Sequence, residues 1–302
     1  MALYDVGGYQ IELDQIVEPI FHSGKARRIF PMMPALGIED TESKYWKATQ
    51  NLTGRFAVEP TYDLTHIGLA PVQTPAPTVS KAIAYSRLEL KRINKSVLPL
   101  DRRVTNMQKH WTELEDLFAL GAATTADDGE VKSSIVTEGT NCTNATTADI
   151  TTFAGVKAML GGYLGDAIGN GMELGGDPIK LIITMDVYSK LLQMGSDYTD
   201  LSALQYCEVE LKRLHPQSEI IPTKYLGATY VRDAADNITV TAGTTNAALC
   251  LMNPQGYFLA VSDIDIFPST PDGGVNLKFA ERWTPHYTCD DYIYYDATVT
   301  IA

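Results

Sequence analysis

Five histidines (His22, His66, His110, His215 and His286) are scattered through the 302 residues. None forms an H-E-x-x-H motif or an i, i+4 pair, the spacings that set two imidazoles on one metal ion. His110 falls on the polar side of a helical segment, where a solvated histidine is expected. The cysteines Cys142, Cys207, Cys250 and Cys289 stand 65, 43 and 39 residues apart. That leaves no C-x-x-C pair and no Cys/His cluster, so they are expected as free, buried thiols rather than a zinc site or disulfide framework. Asp263 and Asp265 share one face of a strand and can bind a cation. No third acidic ligand stands at useful spacing, so a polar strand face is the simpler reading. Asp290 and Asp291 precede the last strand as turn residues. "GGYLGDAIGNGMELGG" (161–176) has the glycine content of a phosphate loop. It lacks the G-K-[ST] ending and follows a helix, which makes it a helix C-terminus running into a loop. "GSDYTDLS" offers hydroxyls without a G-x-S-x-G elbow. No nucleophile, base and orienter come together, so neither catalysis, a metal nor a cofactor is expected.

The charge pattern is more informative than any of these motifs. The net charge is −13, from 24 Lys and Arg against 37 Asp and Glu. Residues 44–95 depart from it, with eight basic and three acidic side chains, while 1–43 stand at −4 and 96–302 at −14. An acidic whole argues against gripping nucleic acid through its phosphates. A basic arm on an acidic body points to contact with an acidic protein surface, such as another copy of the same chain. No run reaches the ~18 apolar residues of a membrane span. The start, "MALYDVGGYQIELDQ", has neither a basic n-region nor an apolar h-region, so no secretory signal is expected.

The elements that must position these groups follow from periodicity. Residues 1–43 are short apolar pieces broken by Gly and Pro, an arm that needs something to lie against. In "TVSKAIAYSRLELKRI", Ala82, Ala84, Ser86, Leu88 and Leu90 alternate with Lys81, Ile83, Tyr85, Arg87, Glu89 and Lys91, the period of a strand. With "KYWKATQNLTGRFAVEPTYDLTHIGLAPV" before it and Pro75 and Pro77 between, 44–95 reads as a long two-stranded loop. Such a ribbon is marginal alone and needs a neighbour.

From Leu100 the pattern changes to Leu100, Val104, Met107, Trp111, Leu114, Leu117 and Phe118, one face of an α-helix over 100–120. Pro99 suits its first turn and Gly121 its stop. About 21 residues at 1.5 Å each make a rod of roughly 30 Å. A second helix is expected over 149–168, with Phe153, Val156, Leu160, Tyr163, Leu164 and Ile168 inward and Thr147 or Asp149 as its cap. "IKLIITMD" reads as a buried strand and "DVYSKLLQM" as a short helix capped by Asp186. The last third is strands: "EIIPTKY", "ATYVRD", "NITVTA", "AALCLMN", "GYFLAVSDIDIF", "VNLKFAERWT" and "DDYIYYDATVTIA". The class is α+β.

Set in order, "TVSKAIAYSRLELKRI" leading into "RRVTNMQKHWTELEDLFALGAA", then "PIKLIITMDVYSKLLQM", then "AALCLMNPQGYFLAVSDIDI", resembles the major capsid proteins of tailed double-stranded-DNA phages. This is the Hong Kong 97-type fold, which encapsulins share. The likeness is one of element order over roughly residues 20–302. It implies an N-terminal arm and the start of the peripheral domain over 1–43, and an extended β-loop, the E-loop, over 44–95. A peripheral domain with its spine helix would span 96–146, an axial domain 147–262, and C-terminal strands 263–302.

It further implies self-assembly into hexamers and pentamers of an icosahedral shell that encloses double-stranded DNA. The location would be the virion, assembled in a host cytoplasm without a membrane, with scaffolding, portal and decoration proteins as further partners. Some members carry a helical scaffolding segment ahead of the arm; none is expected within this sequence, so scaffolding would be a separate protein or a segment removed before this sequence begins. Others crosslink a loop lysine to an asparagine, and nothing marks Lys81 and Asn94 as such a pair. On the shell reading, Arg55, Lys81, Arg87, Lys91 and Arg92 are the expected inter-subunit contacts. An encapsulin-like compartment and a soluble α+β enzyme are the alternatives.

Overall fold

The computed structural model describes residues 3–6, 9–12, 24–34, 36–39, 42–48, 69–75, 78–86, 88, 102–123, 148–169, 176–195, 201–232, 238–242, 246–251, 257–269, 274–287 and 293–301. The chain opens with β1 (Leu3–Val6), β2 (Tyr9–Glu12), α1 (Lys25–Ile29), β3 (Met32–Pro34), β4 (Glu42–Ala48), β5 (Leu69–Pro75) and β6 (Thr78–Tyr85). Next come α2 (Arg102–Leu120), β7 (Ala122–Ala123), α3 (Phe153–Gly169), β8 (Lys180–Thr184), α4 (Met185–Gln193) and α5 (Ala203–Leu214). Then follow β9 (Glu219–Thr223), β10 (Thr229–Arg232), β11 (Ile238–Ala242), β12 (Ala248–Leu251) and β13 (Tyr257–Val261). The last are β14 (Asp265–Ser269), β15 (Val275–Tyr287) and β16 (Ile293–Asp296).

Two sheets organise the molecule. The first has the order β16-β12-β8-β9. Strands β8 and β9 are parallel, so the chain between them must cross over, and α4 and α5 supply that crossing. Leu181, Ile183, Ala248, Cys250 and Tyr294 face the helical layer of α3, α4 and α5. Ile182, Leu249, Leu251 and Ile293 face Phe118 and Leu120 of α2, together with Leu259 and Trp283 of the second sheet. Both faces are covered, which is why "LII" and "ALCL" are unbroken apolar runs rather than alternating ones.

The helices form where the apolar spacing places them, with local differences at their ends. Helix α3 begins at Phe153, and its cap is Thr152, whose Oγ1 accepts the Gly155 N–H at 3.2 Å. Asp149, one of the two expected caps, bridges to Thr300 instead, and its carboxylate accepts the Thr151 N–H; Thr147, the other, lies outside the described residues. The inward stripe of α3 continues to Ala167, leaving Ile168 exposed. Helix α4 has Thr184, not Asp186, at its N-cap, and the Thr184 hydroxyl accepts the Ala247 N–H.

Helix α5 falls in a stretch whose sequence gave no expected helix. It is held by a capping box in which Ser202 Oγ accepts the Gln205 N–H while Gln205 Oε1 accepts the Ser202 N–H. Ser202→Ala should therefore lower stability by about 1 kcal/mol, read as an earlier urea midpoint at unchanged slope.

The second sheet is built on the 13 residues of β15. One side of β15 pairs with β13 and then β14, because "GYFLAVSDIDIF" is two strands broken at 262–264 rather than one. The other side pairs with β6, Val275 opposite Tyr85 through Arg282 opposite Thr78. β3 closes the far edge in parallel to β13.

The expectation that 78–85 is the return strand of a free ribbon is thereby corrected. The ribbon pairs β4 with β5, Glu42 opposite Pro75 through Ala48 opposite Leu69, while β6 belongs to the sheet. The alternation in β6 holds: Ile83 and Tyr85 are buried, and Ala82 and Ala84 are exposed. The last strand ends at Asp296, after which Val299 and Thr300 bond to the Asn246 and Ala148 carbonyls.

Candidate assembly surfaces and a buried charge junction

Of the five basic residues expected at subunit contacts, Arg55, Arg87, Lys91 and Arg92 lie outside the described residues. Lys81 is a β6 position, opposite Phe279 of β15 in register and of the same parity as Ile83 and Tyr85. Also outside the described residues are His22, His66, Cys142, Cys289 and Asn94. Where the ribbon is described it presents Lys44, exposed on β4 opposite Gln73.

A second outward surface lies on the helical layer. Met185 and Leu192, seven residues apart on α4, are 48% and 54% exposed. Val209 on the neighbouring α5 is 52% exposed, and Leu201 precedes that helix. These are exposed apolar side chains on, or just before, two helices that pack against each other.

Burial pushes the Cys207 thiol up to about 12 and lowers the buried His286 to about 4. Neither is therefore charged in the way a nucleophile or a general acid would need near neutrality. His110 is exposed, 3.8 Å from Glu113, as expected for a helix surface. Among the described residues no group of three His, Cys, Asp or Glu is placed to hold a metal ion, and no helix is long and apolar enough to cross a membrane. Tyr163 donates its hydroxyl proton to Asp296 at 2.6 Å, tying α3 to β16 inside the core.

The densest polar constellation is one the sequence reading missed. Arg27 of α1 meets Glu115 of α2 through Nε at 2.9 Å and Nη2 at 2.5 Å, and the same Nη2 meets Glu281 of β15 at 2.6 Å. Trp111 Nε1 donates to the other oxygen of Glu281 at 2.8 Å. The side chains are 5% exposed for Arg27 and 0% for both glutamates. Beside them, Asp116 accepts the Ala26 N–H at 2.7 Å.

The rest of α1 is held from the other side. Lys180 of β8 donates to the carbonyls of Arg28 and Ile29, Lys25 donates to the Pro222 carbonyl, and Arg28 pairs with Glu219. Ala26, Ile29 and Phe30 fill the space between, with Phe30 edge-on to Tyr257 at 5.4 Å. A five-residue helix is too short to persist alone, so these contacts make it. The one signal available from sequence was Glu115 itself, four residues past Trp111 on the apolar side of a long helix.

No protein-family model matches the chain, and no curated protein does. Solved structures match most of its length. The virus-like particle from Pyrococcus furiosus is 14% identical and covers 94% of this chain and 97% of its own, with a TM-score of 0.53. The capsid of the native GTA particle is 11% identical, covers 90% and 89%, and has a TM-score of 0.57. The capsid of the cyanophage P-SCSP1u is 10% identical, covers 90% and 87%, and has a TM-score of 0.51. At such identities the likeness shows the fold, and the fold is the α+β, Hong Kong 97-type architecture expected above.

Proposed function

We propose that this chain is a major capsid protein whose copies assemble into an icosahedral shell enclosing double-stranded DNA. The observation that supports this best is the two-way coverage: the neighbours are capsid chains, and almost all of each is used in the match. On this reading the residues that act are at interfaces, and no catalytic role is assigned. Residues 1–43 serve as the arm and the start of the peripheral domain, 44–95 as the E-loop and 96–146 as the peripheral domain. Residues 147–262 form the axial domain, and 263–302 supply the returning strands. The virion is the location, and scaffolding, portal and decoration proteins are the further partners. A shell without a viral genome, encapsulin-like, is the second reading, favoured by the match to a virus-like particle.

Arg55, Lys81, Arg87, Lys91 and Arg92 are the proposed contacts of the basic loop with an acidic neighbour. Electron microscopy of the purified protein, with its 260/280 nm absorbance ratio, tests the assignment. Closed shells tens of nanometres across carrying nucleic acid are the expected result. Shells with a protein-like ratio would favour the second reading. A species that stays monomeric even with crowding agents and scaffold would sink both. Reversing Lys91 and Arg92 to glutamate should weaken assembly while leaving the far-ultraviolet circular dichroism unchanged, because the charge lost is intermolecular. Normal shells from that variant would remove the charge argument.

A further inference from the structure

One guanidinium at the α1 junction faces two carboxylates, and all three side chains are shut away from water. Arg27, Glu115 and Glu281 together sum to one negative charge when fully ionised, and an uncompensated buried charge is strongly disfavoured. A single proton shared with the pair makes the cluster neutral.

Among the described residues, the other charged groups around it have contacts that lead elsewhere. From α2, Trp111 offers an N–H and Asp116 a further carboxylate, which is spent on the Ala26 N–H. From α1, Lys25 and Arg28 turn to Pro222 and Glu219 on β9. On β15 itself, Arg282 donates to the Ile38 carbonyl. The strands flanking this part of β15 bring Asp265 of β14, opposite Ala280, and Lys81 of β6, opposite Phe279. From β8, Lys180 is taken by the α1 carbonyls.

We infer that the junction is a proton-dependent latch. It is closed while Glu281 holds a proton between Arg27, Glu115 and Trp111. When that proton leaves, α1 loosens from the long helix and β15.

The direction follows from the burial. Burial first, and then the like charge of Glu115, push Glu281 from 4.5 up to about 8, outweighing Arg27 and Trp111. Burial likewise lifts Asp116 to about 6. A carboxyl raised on folding stabilises fully below its unfolded value and ceases to do so as pH climbs through its folded value. Both groups therefore act alike, Asp116 up to about pH 6 and Glu281 up to about pH 8. The latch tightens on acidification and slackens in mild alkali. The inference goes beyond the capsid reading and concerns the chain itself, so it stands or falls apart from shell formation.

The test is hydrogen–deuterium exchange of residues 24–30 at pH 6 and pH 9, corrected for intrinsic exchange, on the purified full chain. Protection should fall roughly tenfold to hundredfold across that span. Glu281→Gln, neutral at every pH, should hold its protection at pH 9, and so should Glu115→Gln, which leaves one carboxylate for one guanidinium. Protection that falls equally in wild type and both variants would overturn the inference. Should the variants not fold, infrared spectroscopy of the wild-type protein decides it. The carbonyl band of a protonated carboxyl, present at pH 7 and bleached by pH 9.5, is the expected result. Its absence at pH 7 refutes the latch.

Discussion

Arg27→Met should destabilise the protein by about 3–5 kcal/mol at pH 7, the cost of leaving a buried carboxylate without its cation. Both glutamates are fully enclosed, so neither can be rescued by water unless the junction opens. Urea unfolding followed by tryptophan fluorescence measures the loss directly. Arg27→Lys should recover only part of it, because an ammonium cannot reproduce the forked contact that reaches Glu115 and Glu281 together. The deficit of the methionine variant should also shrink toward pH 5, where protonation removes negative charge from the cluster. A loss below about 1 kcal/mol would mean the junction relaxes without its arginine, and α1 is then held by its other polar contacts and its apolar residues.

The other large effect comes from a residue with no side chain. Gly155 lies in the first turn of α3, where the chain doubles back to bridge Asp149 with Thr300. A Cβ there would stand 1.8 Å from the Asp149 carbonyl oxygen, and the obstruction is backbone, which cannot rotate away. Gly155→Ala should cost about 3 kcal/mol or more, at the upper end of overpacking penalties. Gly161, in the same helix, has nothing within 4 Å of its would-be Cβ. Gly161→Ala should therefore stabilise by about 0.5–1 kcal/mol through reduced backbone entropy. Opposite signs for one substitution in one helix, compared by thermal unfolding, separate close packing from helix propensity. Equal effects would mean that the Asp149 bridge yields.

The same contrast shows what a sequence reveals and what it hides. The long helix was legible because Met107, Trp111, Leu117 and Phe118 repeat at helical spacing, and the structure buries all four. Alternation in 78–85 was equally legible, yet the partner of that strand was not. Its partner β15 lies some 190 residues further on, and a period of two says nothing about which edge a strand joins. Helix α5 was hidden because Tyr206 and Leu214 are only partly buried while Val209 is exposed, which blurs its stripe. Its S-x-x-Q capping box was in plain view and would have found it. The Arg27 junction could not be read locally, since its three charges come from three elements whose meeting is a property of the fold.

The span of that junction also bears on how the molecule is made. Arg27 and Glu281 are separated by 254 positions. At ribosomal rates of about 5–20 residues per second, one emerges roughly 10–50 s before the other. During that time α1 has no β15 to close against, and β6 has no ladder to join. The first third of the nascent chain thus waits with open strand edges, the condition under which strands pair with the wrong partner. A pause in translation just ahead of residue 275 prolongs that exposure, whereas a pause after residue 287 comes when β15 has already been made.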